Sequence, residues 1–204
     1  MHDDKFTVIN IRDCLQENND IKIGEDELFE ILFDFFCPKN PDVEKFLKRQ
    51  SIEFVKKNQS VTYLVFSNED AVLVGYFTLT IKPISVCADK FSNNIKRKLL
   101  RISELNEEKQ TYHMAAYLIA QLGKNFADDA IGKITGKQLL EIAIKHVKKE
   151  QYAIGGMVVF IETEKTEKML KFYDLENGFK EFETKETRTK GKESQQLIQM
   201  LKIL

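Results

Sequence analysis

The stretch from residue 116 to residue 147 restricts this 204-residue chain more than any other. It reads AYLIAQLGKNF, then ADDAIGKITG, then KQLLEIAIKHV. The first piece is apolar and slightly alternating, which predicts a buried strand. The last piece sets Leu139, Leu140, Ala143, Ile144 and Val147 at helical spacing, which predicts a helix packed by one face. Between them lies a loop with Gly132 and Gly136, flanked by Lys133 and Lys137. A strand that feeds a glycine loop and a helix N-terminus makes an anion site. Unpaired N–H groups converge there, and the helix dipole adds partial positive charge. Glycine also lets the backbone approach a phosphate with no Cβ between them. The competing reading is that both glycines serve turn geometry alone.

The loop is not a Walker phosphate loop. That motif needs four residues between its first Gly and the Gly-Lys pair, then Ser or Thr. Here three residues separate Gly132 from Gly136-Lys137, and Gln138 stands where the magnesium-binding hydroxyl would be. A dinucleotide fingerprint, GxGxxG, is absent as well. The pattern points to a phosphate-bearing ligand held without a metal.

The remaining sequence bounds the answer. At 23.8 kDa and 43% hydrophobic residues, the chain suits one domain with a real core. Its 31 basic and 32 acidic residues leave a net charge of −1, which argues against a general nucleic-acid coat. Cys14, Cys37 and Cys87 are scattered, with no CxxC pair, so neither zinc nor a disulfide framework is indicated. Three buried or half-buried free thiols in a reducing cytoplasm are expected. The N-terminal MHDDKF is not a signal peptide, and no apolar run nears the ~20 residues that span a bilayer. The expected location is cytoplasmic, away from membranes.

In chain order, residues 5–12 read as a strand and residues 20–24 as a turn. Residues 25–36 read as an amphipathic helix stopped by Pro38 and Pro41. Residues 42–57 read as a second helix, and residues 59–67 and 71–81 as a hairpin. Gly75 inside the hairpin suggests a bulge or a close backbone approach. Pro83 is expected to end that strand. Residues 83–110 form an insert whose short helix carries Lys96, Arg97, Lys98 and Arg101. That cluster is either a solvated face or an electropositive contact. Residues 153–162 read as a buried strand, 166–175 as a short helix and 179–184 as a strand. Residues 184–194 are charged and expected to be mobile. In the tail, residues 185–204, Leu197, Ile198, Leu201 and Leu204 suggest a terminal helix, packed on the domain or on a second copy in a homodimer. The order β-α-α-β-β-β-α-β-α-β, with an early hairpin and a later crossover, predicts an α+β (α/β) mixed sheet in a single domain, residues 1–204.

Three pieces of this order resemble the GNAT superfamily, the acetyl-CoA-dependent N-acetyltransferases. LIAQLGKNF, residues 118–126, resembles the strand along the pantetheine arm. GKITGKQLLEIAI, residues 132–144, resembles the diphosphate loop and its helix. KMLKFYDLENGFKEF, residues 168–182, resembles the late helix with its tyrosine and the Gly-Phe that opens the last strand. The family loop runs Arg/Gln-x-x-Gly-x-Gly/Ala. Setting Gly136 on its last position places Ile134 on the central Gly and Ile131 on the Arg/Gln. The Asn common before the late tyrosine is Thr166, and the gap from Tyr173 to Gly178 is one residue longer than usual.

The resemblance implies acetyl-CoA as cofactor, bound at Ala120, Leu122, Lys133, Ile134, Thr135, Gly136 and Lys137, and a primary amine, small-molecule or peptide, as acceptor. Transfer needs a base or water path, an N–H for the oxyanion and an acid for the leaving sulfur. Tyr173 is the candidate acid, with a tyrosine that anchors its helix to the sheet as the alternative, and the Leu122 N–H is the candidate oxyanion donor. His113 and Glu162 are the candidate bases, with a structural histidine as the alternative. A subgroup, the toxins of toxin–antitoxin pairs that acetylate aminoacyl-tRNA, shares the long insert and the central phrase, which makes tRNA a second candidate substrate. In that subgroup the phrase ends Arg-Leu-Ala-Val where this chain has Gln121-Leu122-Gly123-Lys124. The missing loop anchors leave a third reading, a degenerate domain that binds CoA or a protein without catalysis.

Overall fold

The computed structural model describes residues 5–16, 23–187 and 195–204. The fold is a mixed α/β arrangement around an eight-stranded mixed sheet. The chain clusters into two compact units, one of residues 1–80 and 120–145, the other of residues 81–119 and 146–204. Two long strands, β3 (Leu73–Cys87) and β5 (Thr111–Lys124), contribute segments to both.

In the first unit the strand order is β1 (Phe6–Asn10), β2 (Val61–Ser67), β3, β5. β1 and β3 both pair antiparallel with β2, as a hairpin requires. The register slips where Val65 faces Gly75 and Phe66 faces Leu73, so the bulge expected at Gly75 is present. The close approach is present too: a Cβ on Gly75 would lie 2.9 Å from the Gly123 carbonyl oxygen. Helices α1 (Ile11–Leu15), α2 (Glu25–Phe33), α3 (Pro41–Arg49) and α4 (Ser51–Lys56) cover this unit. Their apolar faces bury Leu28, Leu32, Val43, Phe46, Leu47 and Val55 with Phe35 and Tyr76.

Several boundaries differ from the sequence reading. Ile11 and Arg12 open a helix rather than ending β1, because the Asn10 side chain caps it by accepting from the Arg12 N–H. Helix α2 stops at Phe33, and Phe35 then turns inward, edge-on to Tyr76 at 5.2 Å. Residues 42–57 are two helices, broken at Gln50, whose φ of −126° is not helical. Residues 20–22 of the expected turn lie outside the described residues.

In the second unit the order is β3, β5, β6 (Val158–Glu164), β8 (Gln195–Ile203), β7 (Lys180–Thr187), with β4 (Leu105–Asn106) also on β5. β5 and β6 run parallel, as the crossover through α6 (Gly136–Ile154) demands. Pro83 does not end β3, which continues to Cys87. Registered pairing with β2 ends at Leu79, so Pro83 sits beyond that partner. The insert holds helix α5 (Asn93–Leu99), as expected. The part of the tail that is described beyond β7, residues 195–204, is not a helix. It is strand β8, antiparallel to both β6 and β7. Residues 188–194 of the expected mobile stretch lie outside the described residues, and residues 184–187 belong to β7. Cys14 and Cys37 are buried as expected, but Cys87 is exposed.

Helix α6 ends where Gly155 and Gly156 take φ of +81° and +92°, conformations that favour glycine. The Tyr117 hydroxyl donates to the Gly155 carbonyl and pins that end.

Candidate active site

Alternation along β5 sorts the strand end. Ala120 is exposed and Leu122 half-buried on one side. Gly123 lies on the other, where a Cβ would fall 2.5 Å from Val43 Cγ1 and 2.8 Å from Tyr76 Cε1. Glycine is therefore required for α3 and Tyr76 to press on the strand. After Lys124 the chain leaves the sheet, locked by Asn125, which is 4% exposed. Its side-chain carbonyl accepts from the Phe36 N–H at 2.9 Å and the Ala127 N–H at 3.0 Å. Its amide donates to the Leu73 carbonyl at 2.8 Å. One side chain thus fixes the loop to β3 and to the segment after α2.

The loop then meets α6. Gly132 adopts a φ of +83°, with open space around it. The Ile134 side chain is 2% exposed, so this residue turns inward and only its backbone can serve a ligand. Thr135 caps the helix: its hydroxyl accepts from the Gln138 N–H at 3.1 Å, and Gln138 Oε1 accepts from the Thr135 N–H at 2.9 Å. This reciprocal capping box is readable from Thr-x-x-Gln ahead of an apolar run, a signal the sequence reading missed. Leu139 N–H returns to the Thr135 carbonyl. Of the first helical N–H groups, those of Gly136 and Lys137 remain for an outside acceptor, at the positive end of a 19-residue helix. Leu139, Leu140, Ala143 and Val147 are buried and Ile144 is half-buried, as the helical spacing predicts.

The two loop lysines differ. Lys133 is bound in an ion pair to Asp70, which raises the lysine's pKa and lowers the carboxyl's. Lys137 is exposed. A third lysine, absent from the candidates read in sequence, reaches in: Lys124 Nζ donates to the Ile134 carbonyl at 2.7 Å. Desolvation first, and the charge of Lys39 second, lower the Lys124 pKa.

The second unit holds the remaining candidates. Tyr173 sits in a π-helical turn, Lys171–Glu176, that follows α7 (Glu167–Leu170). A π turn accommodates one extra residue, which accounts for the longer spacing between Tyr173 and Gly178. Thr166 caps α7 by accepting from the Met169 N–H at 3.2 Å. The Tyr173 ring lies edge-on between Phe172 at 4.9 Å and Phe179 at 5.7 Å. Burial raises its pKa to about 12, so the hydroxyl keeps its proton throughout the neutral range. His113 has a hydroxyl on each ring nitrogen: Ser85 at 2.8 Å from Nδ1 and Thr111 at 3.1 Å from Nε2. Ser103 is bonded to its backbone N–H and carbonyl. Glu162 stands opposite Gln199 across the β6–β8 pair and accepts from its amide. Gln199, 2% exposed, was not foreseen, because its segment reads as a helix in sequence.

No family model matches the chain, and no curated protein matches it. Solved structures do. AtaT complexed with acetyl-methionyl-tRNA is 18% identical, with 95% of this chain and 93% of that one covered at a TM-score of 0.61. A tyrosine-to-phenylalanine variant of KacT is 18% identical over 95% of this chain and 94% of that one, at a TM-score of 0.58. A probable acetyltransferase from Staphylococcus epidermidis ATCC 12228 is 14% identical over 97% and 98% of the chains, at a TM-score of 0.52. The chain has the GNAT fold. AtaT has also been solved with acetyl-CoA, both with its antitoxin AtaR and with that antitoxin's C-terminus. The strand, loop and helix that carried the resemblance are β5, residues 125–135 and α6 in this GNAT fold.

Proposed function

We propose that this chain is an acetyl-CoA-dependent N-acetyltransferase acting on a primary amine. The observation that carries the reading is the capped head of α6, where the N–H groups of Gly136 and Lys137 are left for an anion at the end of β5. The seat fits a diphosphate: exposed Lys137 adds charge, and open space surrounds Gly132. Acetyl-CoA would supply an activated acetyl group as a thioester. The residues of the chain do the rest. Gly136 and Lys137 bind through the backbone, with Lys133, Ile134 and Thr135 shaping the loop. Ala120 presents a small, exposed side chain beside the strand edge, and the Leu122 N–H is the donor assigned to developing negative charge on oxygen. Tyr173 holds its proton and serves as acid. Glu162, which accepts from Gln199, and His113, tied to two hydroxyls, are the two candidates for the base. Calorimetric titration with acetyl-CoA tests the reading. Binding supports it, and no binding at millimolar ligand defeats it and leaves a degenerate or protein-binding domain.

A second reading, acetylation of aminoacyl-tRNA, is favoured by two observations. AtaT, solved with acetyl-methionyl-tRNA, matches over nearly the full length of both chains. In addition, Arg97, Lys98 and Arg101 are exposed beside half-buried Lys96, and none of the four has an ion-pair partner among the described residues. Growth arrest on expression in a bacterial host, relieved by Tyr173→Phe, would support this substrate. Harmless expression would count against it.

A further inference from the structure

The loop lacks the central glycine and the Arg/Gln that would ordinarily shape it, and one of its two lysines is committed to Asp70. What holds the bend is elsewhere. Ile134 occupies the position of that glycine with its side chain buried, so its peptide must be fixed by something other than glycine's freedom. The Lys124 ammonium, coming off the end of β5, bonds the Ile134 carbonyl at 2.7 Å. An ammonium has three N–H groups, so two are left. Lys124 also lies 5.4 Å from the centre of the Phe126 ring, and Lys39 lies 4.7 Å from the same centre. No carboxylate pairs with either ammonium among the described residues. Two cations sharing one ring, one of them half-buried, repel each other until an anion arrives.

We propose that Lys124 is the positioning residue of the diphosphate seat: it fixes the Ile134 peptide so that the loop keeps its bend without a central glycine, and it supplies, with Lys39 behind it, the charge that Lys133 cannot. This inference rests on the transferase reading, which provides the diphosphate. The seat therefore depends on a lysine from the strand rather than on loop lysines alone. A bound anion also favours the protonated form of Lys124, whose pKa desolvation and the Lys39 charge lower, so binding takes up protons at alkaline pH.

The experiment is calorimetric titration of acetyl-CoA into the wild type, Lys124→Met, Lys124→Arg and Lys39→Gln at low and high salt, with a melting curve for each. Lys124→Met is expected to weaken binding about tenfold or more, the scale of one charged hydrogen bond, and to flatten the salt dependence. Lys124→Arg, which keeps charge and donors, is expected to restore most of the affinity. Lys39→Gln, which breaks no hydrogen bond in the loop, is expected to weaken binding about two- to threefold. Should Lys124→Met fail to fold, the Arg rescue and the Lys39→Gln salt slope still decide. Binding by the wild type with unchanged affinity in folded Lys124→Met overturns the role of Lys124 alone, and a salt slope unmoved by Lys39→Gln overturns that of Lys39. A wild type that binds no acetyl-CoA overturns the transferase reading and this inference together.

Discussion

Single residues carry much of the site's rigidity, and Asn125 carries the most. It satisfies two N–H groups and one carbonyl from three separate segments while 4% exposed. Asn125→Ala leaves those groups without partners in a buried place. We expect a loss of about 1–3 kcal/mol, the range for a buried polar group left without its partner, read as a lower denaturant midpoint. Tyr173 is the second such residue. Its pKa rises from the usual tyrosine value to about 12 on burial. The sign follows directly: above pH 10 the unfolded chain gives up this proton before the folded chain does, so stability falls as pH rises. Tyr173→Phe should flatten the alkaline limb of the stability profile. If Tyr173 is the acid, the same variant should also lower kcat by about a hundredfold with little change in KM for acetyl-CoA. A changed KM with unchanged kcat would assign it to binding instead. Both residues stand plainly in the sequence, but only Tyr173 could be picked out there. The role of Asn125 depends on Phe36 and Leu73, which are distant in sequence and adjacent only in the fold.

At the scale of elements, the strand–loop–helix unit was legible because its pattern is local. Gly132, Gly136 and the spaced leucines of α6 state it within a single stretch. The parallel β5–β6 pair follows from the helix between them. Strand β8 was not legible. Ile198, Gln199, Met200 and Leu201 are all at most 2% exposed, because the strand lies between β6 and β7 and both faces are covered. Burial on two faces erases the alternation that marks a strand, and the leucines that remain imitate a helix. The proline in β3 misled for a related reason: whether a missing N–H matters depends on which neighbour is still paired there. Two element-scale outcomes follow. Gly123→Val should destabilise the first unit by about 2 kcal/mol or more through overpacking against Val43 and Tyr76, seen as an earlier thermal transition. Gln138→Ala opens the capping box and should cost about 1 kcal/mol, with faster amide exchange confined to the first turn of α6.

For the molecule as a whole, the near balance of 31 basic and 32 acidic residues leaves specific sites to do the electrostatic work. The exposed cations of α5 and the seat at α6 serve different ligands in the reading advanced here, and salt separates them. Binding of RNA should fall steeply with salt if phosphates meet Lys96, Arg97, Lys98 and Arg101. A ligand bound by the folded chain alone also stabilises it, by about 2.7 kcal/mol at a hundredfold excess of ligand over Kd, and so raises its melting temperature. The acceptor was not legible in the sequence, because an acceptor pocket is assembled from surfaces that no short motif encodes. The claim beneath everything else is that an anionic ligand rests on the head of α6. Glu at the first helical position suits the helix dipole, so Gly136→Glu should keep the fold while opposing a diphosphate. Titration of acetyl-CoA into the wild type and Gly136→Glu tests this most directly. The account predicts saturable binding to the wild type and at least about a tenfold loss in the variant, with melting unchanged. Equal affinity in both proteins would contradict it.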